Sequence, residues 1–267
     1  MTKDIKYLVI PDVHGRTFWI DPVNAVLADT DAKIIFLGDY LDPYPYEFED
    51  GIDFRIDAIT RFEEIIELKK TYPDRITLLL GNHDCGYAID SYLCSSRMDH
   101  LHKQRISKLF RENRELFQMA DTADIASKHF VFSHAGILKG WAEAVWEEKL
   151  IDVDIINELN HFWWENKDDR NILSGLGMYD YYRGWGGYTF GSPIWSDIRS
   201  WTKVTPEDTY GFNIVGHTQC ESEPIVLETI ANLDCRQAFY IDGNGDIRYY
   251  NTGEIVKKSN EGDRRNA

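Results

Sequence analysis

Five times along this 267-residue chain a short apolar run stops at a polar cluster, and that repeated junction limits the folds open to it. Tyr7-Leu8-Val9-Ile10 leads to Asp12 and His14, and Ile34-Ile35-Phe36-Leu37 leads to Gly38-Asp39. Ile76-Thr77-Leu78-Leu79-Leu80 leads to Gly81-Asn82-His83-Asp84. Phe130-Val131-Phe132 leads to Ser133-His134, and Phe212-Asn213-Ile214-Val215 to Gly216-His217. Runs this short, rich in branched and aromatic residues and bounded by Gly or Pro, read as buried strands. Between them, Phe54–Thr71 carries Ile59, Phe62, Ile65, Ile66 and Leu68 near a 3.6 period and is closed by Pro73. Further helical patterns cover about Met98–Met119 and Ala142–Trp164. Strands alternating with helices predict an α/β fold. The alternation from Ala238 to Tyr250 about Asp242-Gly243-Asn244-Gly245 predicts a hairpin. The last eleven residues read as a polar tail, so one domain is expected over residues 1–256 and a tail over 257–267.

Composition narrows the function. Hydrophobic residues make up 43% and charged residues 28%, which excludes wholesale disorder. With 29 basic against 45 acidic residues the net charge is −16, the wrong sign for a protein that coats nucleic acid. Cys85, Cys94, Cys220 and Cys235 form no C-x-x-C pair, so a thiolate zinc site is not expected and four free thiols are. Pro11 and Asp12 break the N-terminal apolar run too early for a signal-peptide core, and no stretch approaches the roughly 18 apolar residues of a membrane span. A cytoplasmic protein without membrane attachment is the expectation.

In open α/β sheets, ligands sit beyond the carboxyl ends of the strands. Here those ends supply Asp12, His14, Asp39, Asn82, His83, His134 and His217. Carboxylate and amide oxygens with neutral imidazoles are the donors of a metal site. Any one of them is more simply a polar residue closing a strand, but five such ends together favour a shared centre. Gly38, Gly81, Gly136 and Gly216 are expected to let the backbone bend there and admit a bulky ligand.

The ordered set Asp12-Val13-His14, Gly38-Asp39-Tyr40-Leu41-Asp42, Gly81-Asn82-His83-Asp84, Ser133-His134-Ala135-Gly136 and Gly216-His217-Thr218 resembles the calcineurin-like metallophosphoesterase superfamily. Within it the chain is most similar to the phosphoprotein-phosphatase (serine/threonine phosphatase) branch. That likeness rests also on Leu68–Pro73 leading into the third motif, Ile194-Trp195-Ser196-Asp197 and Tyr240-Ile241-Asp242. The resemblance implies two mixed β-sheets packed face to face with helices outside. It implies two divalent ions, manganese in the first place and iron or zinc as alternatives suited to the same donors. Asp12, His14 and Asp39 would hold the first ion; Asp39 would bridge to a second held by Asn82, His134 and His217. His83 would be the general acid, oriented by Asp84, with Asp42 accepting a hydrogen bond behind the ligands. The activity implied is hydrolysis of a phosphate monoester, a phosphoprotein or a small molecule, by a metal-bridging hydroxide. Two divalent ions, two carboxylates and one hydroxide leave +1, enough to draw in a phosphate locally despite the whole-chain charge.

This chain departs from the branch at Pro43 and Leu80, where an arginine is usual, and at Gln219, where the wider superfamily has a second histidine. Arg183 and Arg199 are the replacements proposed for gripping phosphate, beside Asn82; a surface ion pair would suit each arginine equally. Five of the eight tryptophans lie between residues 163 and 201, in an aromatic stretch read first as packing against the core and second as a wall for a nucleotide base. The second option keeps a dinucleoside polyphosphate or other nucleotide hydrolase as an alternative. A non-catalytic binding scaffold would be expected to have lost ligands or the acid, and this chain keeps them. Oligomeric state is left open.

Overall fold

The computed structural model describes residues 4–47, 53–89, 97–146, 154–165, 170–178, 180–183 and 190–259. Eleven strands are found among them: β1 (Ile5–Ile10), β2 (Lys33–Phe36), β3 (Ile76–Leu79), β4 (Phe117–Gln118), β5 (Ala120–Ile125), β6 (Lys128–Ser133), β7 (Phe212–Val215), β8 (Ile225–Val226), β9 (Ile230–Asn232), β10 (Phe239–Asp242) and β11 (Ile247–Tyr249). One sheet runs β11-β10-β1-β2-β3-β4 and the other β5-β6-β7-β9-β8. Both are mixed. β1 through β4 are parallel and β10 and β11 antiparallel in the first; β6, β7 and β9 are parallel in the second. Tyr7 of β1 and Phe132 of β6 stack across the two sheets at 5.4 Å between ring centroids.

The helices are α1 (Ile20–Asp29), α2 (Phe54–Thr71), α3 (Asn82–Ala88), α4 (Lys103–Glu112), α5 (Lys139–Trp146), α6 (Ile155–Glu165) and α7 (Arg170–Leu176). The predicted apolar stripe of α2 is buried through Ile59, Phe62, Ile65 and Ile66. The central strands are buried on both faces, as their continuous apolar runs require.

Three boundaries differ from the sequence reading. The predicted helix over Met98–Met119 is α4 alone, because Arg114–Leu116 tighten into a 3-10 turn and Phe117 joins β3 as a short parallel strand. The region Ala142–Trp164 is two helices, α5 and α6. The chain is still tied to the sheet beyond residue 256: the Ser259 amide donates to the Val226 carbonyl at 3.0 Å, and the Val226 amide donates to Ser259 Oγ. Residues 260–267 lie outside the described residues. The hairpin β10–β11 forms where predicted.

The carboxyl ends of β1, β2, β3, β6 and β7 are laced together. His14 N–H donates to Asp39 O at 2.7 Å, Gly15 N–H to Tyr40 O at 3.0 Å, and Gly216 N–H to His134 O at 3.0 Å. Gly38, at φ +104°, carries the chain past Gly81 so closely that an added Cβ would stand 2.4 Å from the Gly81 nitrogen. Gly38→Ala therefore combines left-handed backbone strain with a backbone clash, and a loss of about 3 kcal/mol or more is expected in urea unfolding. An unchanged midpoint would contradict this close passage.

Candidate metal centre

Each predicted ligand follows a strand, and two of the histidines are aimed by a backbone carbonyl behind them. His14 Nδ1–H donates to the Leu41 carbonyl at 2.6 Å, and His134 Nδ1–H to the Leu37 carbonyl at 2.8 Å. A neutral imidazole bonded in this way turns a lone pair on Nε2 inward. His134 Nε2 lies 3.0 Å from Asn82 Oδ1 and 3.1 Å from His217 Nδ1, and the latter two are 2.9 Å apart. Asp39 Oδ2 is 3.6 Å from His14 Nε2 and 3.5 Å from His134 Nε2. Asp12 receives the His217 amide on both oxygens, at 3.0 and 3.1 Å. All of these side chains except His217 are at most 3% exposed. Among the described residues two groups of carboxylates and imidazoles could hold a metal ion, His14–Asp39–His83 and Asp12–Asp39–His134, and Asp39 is common to both.

The donor set fits divalent cations. Lone pairs of imidazole, amide and carboxylate converge at 2.9–3.6 Å. Convergence of acceptors in a dry pocket is costly unless a cation lies among them. The titration pattern agrees. Burial, with Asp39 nearby, pushes Asp12 up to about 6 against the pull of His134. Burial works on Asp39 too, but His134, His83 and His14 outweigh it and hold Asp39 at about 2. Burial drives His14 down to about 3, so its imidazole is neutral and free to ligate.

The backbone is strained at the same place. Six described residues other than glycine have positive φ, and four of them are His14, Asp39, Asp42 and His217. A left-handed residue costs roughly 1–2 kcal/mol, so the turns that aim these side chains are held by the lacing around them. Two glycines are required by contact rather than by φ. A Cβ on Gly81 would fall 2.1 Å from Asp39 Oδ1, and one on Gly216 only 1.9 Å from Asp12 Oδ1. The room these glycines provide is taken by the protein's own carboxylates, not by the bulky ligand expected from sequence.

Asp84 requires a correction. It does not orient His83; its carboxylate accepts the amides of Asp39 (2.6 Å), Gly81 (2.9 Å) and Tyr40 (3.1 Å). His83 and Asp84 are consecutive residues in the first turn of α3, and such neighbours do not face each other. The orienting carboxylate is Asp42, whose Oδ2 is 2.6 Å from His83 Nδ1. Asp42 Oδ1 accepts from the Tyr87 hydroxyl and, at 3.3 Å, from the Asp99 amide. Asp42, expected from sequence as an acceptor behind the ligands, lies against His83, which is not among the proposed ligands.

Neither arginine proposed from sequence is shown at the centre. Arg199 is bound by Asp197 through two contacts of 2.8 and 3.0 Å, which is the surface ion-pair outcome. Arg183 closes a 3-10 turn (Tyr181–Arg183), and its side chain lies outside the described residues. The arginine that does reach the centre is Arg97, which no motif flagged. Its Nη2 is 3.4 Å from Nε2 of both His14 and His83. Its Nε donates to the Asp42 carbonyl at 3.1 Å, and its guanidinium lies 3.7 Å over the Tyr44 ring. The only sequence signal was indirect: the missing arginines at Pro43 and Leu80 called for a third position. In the aromatic stretch, Trp163 and Trp201 are core residues, Trp195 stands edge-on to His217 at 5.7 Å, and Trp185 lies outside the described residues.

Fold and site together define an α/β sandwich with a buried His/Asp centre, built from strand ends, that can hold cations. The chain belongs to the calcineurin-like phosphoesterase family, whose model matches residues 5–221. It is 22% identical over 169 residues to a probable serine/threonine-protein phosphatase of Encephalitozoon cuniculi, covering 63% of this chain and 32% of that protein. The match thus spans about a third of the relative's length. A solved serine/threonine phosphatase from Saccharomyces cerevisiae, described as similar to human phosphatase PP5, aligns with 97% of this chain and 82% of its own at 13% identity and a TM-score of 0.49. A hypothetical protein from Pyrococcus horikoshii aligns with 49% of this chain and 54% of its own, at 17% identity and a TM-score of 0.32. No described helix is long and apolar enough to cross a membrane.

Asp84→Asn replaces an acceptor-only carboxylate with an amide whose NH2 must face backbone N–H groups. Urea unfolding should show a loss of about 2 kcal/mol, the cost of one buried donor left unmatched. Parental stability would contradict the lacing role given to Asp84.

Proposed function

We propose that this protein hydrolyses phosphate monoesters at a centre of two divalent ions, manganese being the natural first choice for mixed nitrogen and oxygen donors. Asp12, His14 and Asp39 would hold one ion, and Asp39, Asn82, His134 and His217 the other. When bound, the ions supply charge stabilisation and an activated water for in-line attack on phosphorus. The observation that carries the reading is the meeting of His14 and His134 at Asp39, with Asn82 and His217 against His134 and a buried His–Asp pair beside them. The relative's description as a probable serine/threonine-protein phosphatase supports phosphoproteins as the substrate class.

The rest of the chemistry belongs to the chain. His83 Nδ1 is engaged by Asp42, so Nε2 is the nitrogen that faces the substrate and carries the proton to be transferred. The negative Asp42 stabilises the imidazolium before transfer and fixes the ring through its bonds to Tyr87 and Asp99. The leaving alkoxide takes that proton as its bond to phosphorus breaks. Burial keeps bulk water from the proton path and strengthens each charge interaction within the site.

His83→Asn in manganese-reconstituted protein should keep the parental metal content and slow turnover by roughly 10²–10⁴-fold. The loss should be small for nitrophenyl phosphate, whose leaving group needs little protonation, and larger for phosphoserine. Asp42→Asn should follow the same leaving-group trend. An equal loss across the series, with metal content intact, would sink the general-acid assignment.

A further inference from the structure

We infer that Arg97 is the residue with which this chain grips the substrate phosphate, an inference that rests on the two-metal reading above. Arg16 and Arg97 both stack on Tyr44, at 5.3 and 3.7 Å from its ring centroid, but they differ in what neutralises them. Arg16 is bound by Glu47 through Nε at 2.6 Å and Nη2 at 3.2 Å. That pair is largely buried, and Glu47 also meets Arg236 at 2.8 Å. Arg97 has no carboxylate partner among the described residues. What fixes its guanidinium is neutral: the Asp42 carbonyl on Nε and the Tyr44 ring beneath it. A positioned, unneutralised guanidinium is suited to bind an anion through its remaining N–H groups.

The direction of those groups is set by the two histidines. Nη2 stands 3.4 Å from His14 Nε2, the nitrogen turned toward the proposed first ion, and 3.4 Å from His83 Nε2, the nitrogen turned toward the leaving oxygen. An ion held by His14 would repel a guanidinium in this seat unless an anion lay between them. A phosphate seated there would face the ion, the guanidinium and His83 together. Arg97 also borders a cavity of about 130 Å³ lined by Arg55, Phe54 and Ile59, which gives the side chain room to draw back as a phosphate seats.

The substitution at Pro43 fits the same account. The chain lacks an arginine at Pro43, but the next residue, Tyr44, supplies the ring on which Arg97 rests, and Asp42 supplies the carbonyl. The same short turn therefore carries an arginine delivered from 55 residues further along the chain instead of its own.

The test is titration of inorganic phosphate into the manganese-reconstituted full chain by calorimetry, with R97A and R97K beside the parent. R97A should weaken phosphate binding about 10- to 100-fold, the worth of a charge-assisted contact. Its KM for nitrophenyl phosphate should rise in step, while metal content and melting temperature stay parental. R97K should recover part of the affinity, since it keeps the charge but loses the fork and the stacking. If R97A fails to fold, R97Q, which retains length, is read in its place. Phosphate affinity within twofold of the parent overturns the inference, as does loss of metal from R97A or transfer of the whole effect to R199A. A parent that is active but indifferent to R97A removes this inference alone. A parent that takes up no metal removes the two-metal reading and this inference with it.

Discussion

The structure depends most on the seat of one carboxylate, that of Asp39. Its backbone is left-handed, its amide is held by Asp84, and its Oδ1 receives the His83 amide at 3.0 Å. Its Oδ2 is shared between His14 and His134, which come from different sheets. The close passage of Gly38 and the missing side chain of Gly81 exist so that this carboxylate can lie between β2 and β3 without collision. Every strand end that supplies a candidate ligand is bonded, directly or through one neighbour, to the turn that carries Asp39. The sandwich can thus be seen as a frame that brings two sheets' carboxyl ends to one acid.

The energetic logic of such a centre runs against folding stability. Burying Asp12, Asp39, His14 and His134 strips water from groups that prefer it. The oppositely directed shifts of Asp12 and Asp39 express two buried acids competing for one site. The protein offsets this cost with backbone amides, three on Asp84 and the His217 amide shared by both oxygens of Asp12, and with the apolar layers outside the centre. A bound cation reverses the sign of the problem, because the same acceptors that repel one another become its ligands. The whole-chain charge of −16 is a distant, screened background to these contacts.

Much of this was legible in the sequence because it lives at junctions. A buried strand must be apolar and must end, so the residues just past Ile10, Leu37, Leu80, Ser133 and Val215 announce themselves. Orientation within a junction was less legible. His83 and Asp84 are adjacent in sequence and were paired in the reading, yet helical geometry sends Asp84 back to the amides of Asp39 and Gly81. The partner of His83 came instead from Asp42, 41 residues away. Arg97 was invisible for the opposite reason: nothing in its own neighbourhood marks it, and its place is set by Tyr44 and the Asp42 carbonyl. The helix read over Met98–Met119 ended early because Phe117 pairs with Leu78, a long-range contact that local periodicity does not contain.

The central claim is that Asp39 lies between two ions. Crystals grown with manganese and measured at its absorption edge test it directly. The account predicts two anomalous peaks per chain, one on the His14 side of Asp39 and one on the His134 side, with the Asp39 carboxylate in contact with both. A single peak, or two peaks of which one lies away from Asp39, would contradict it.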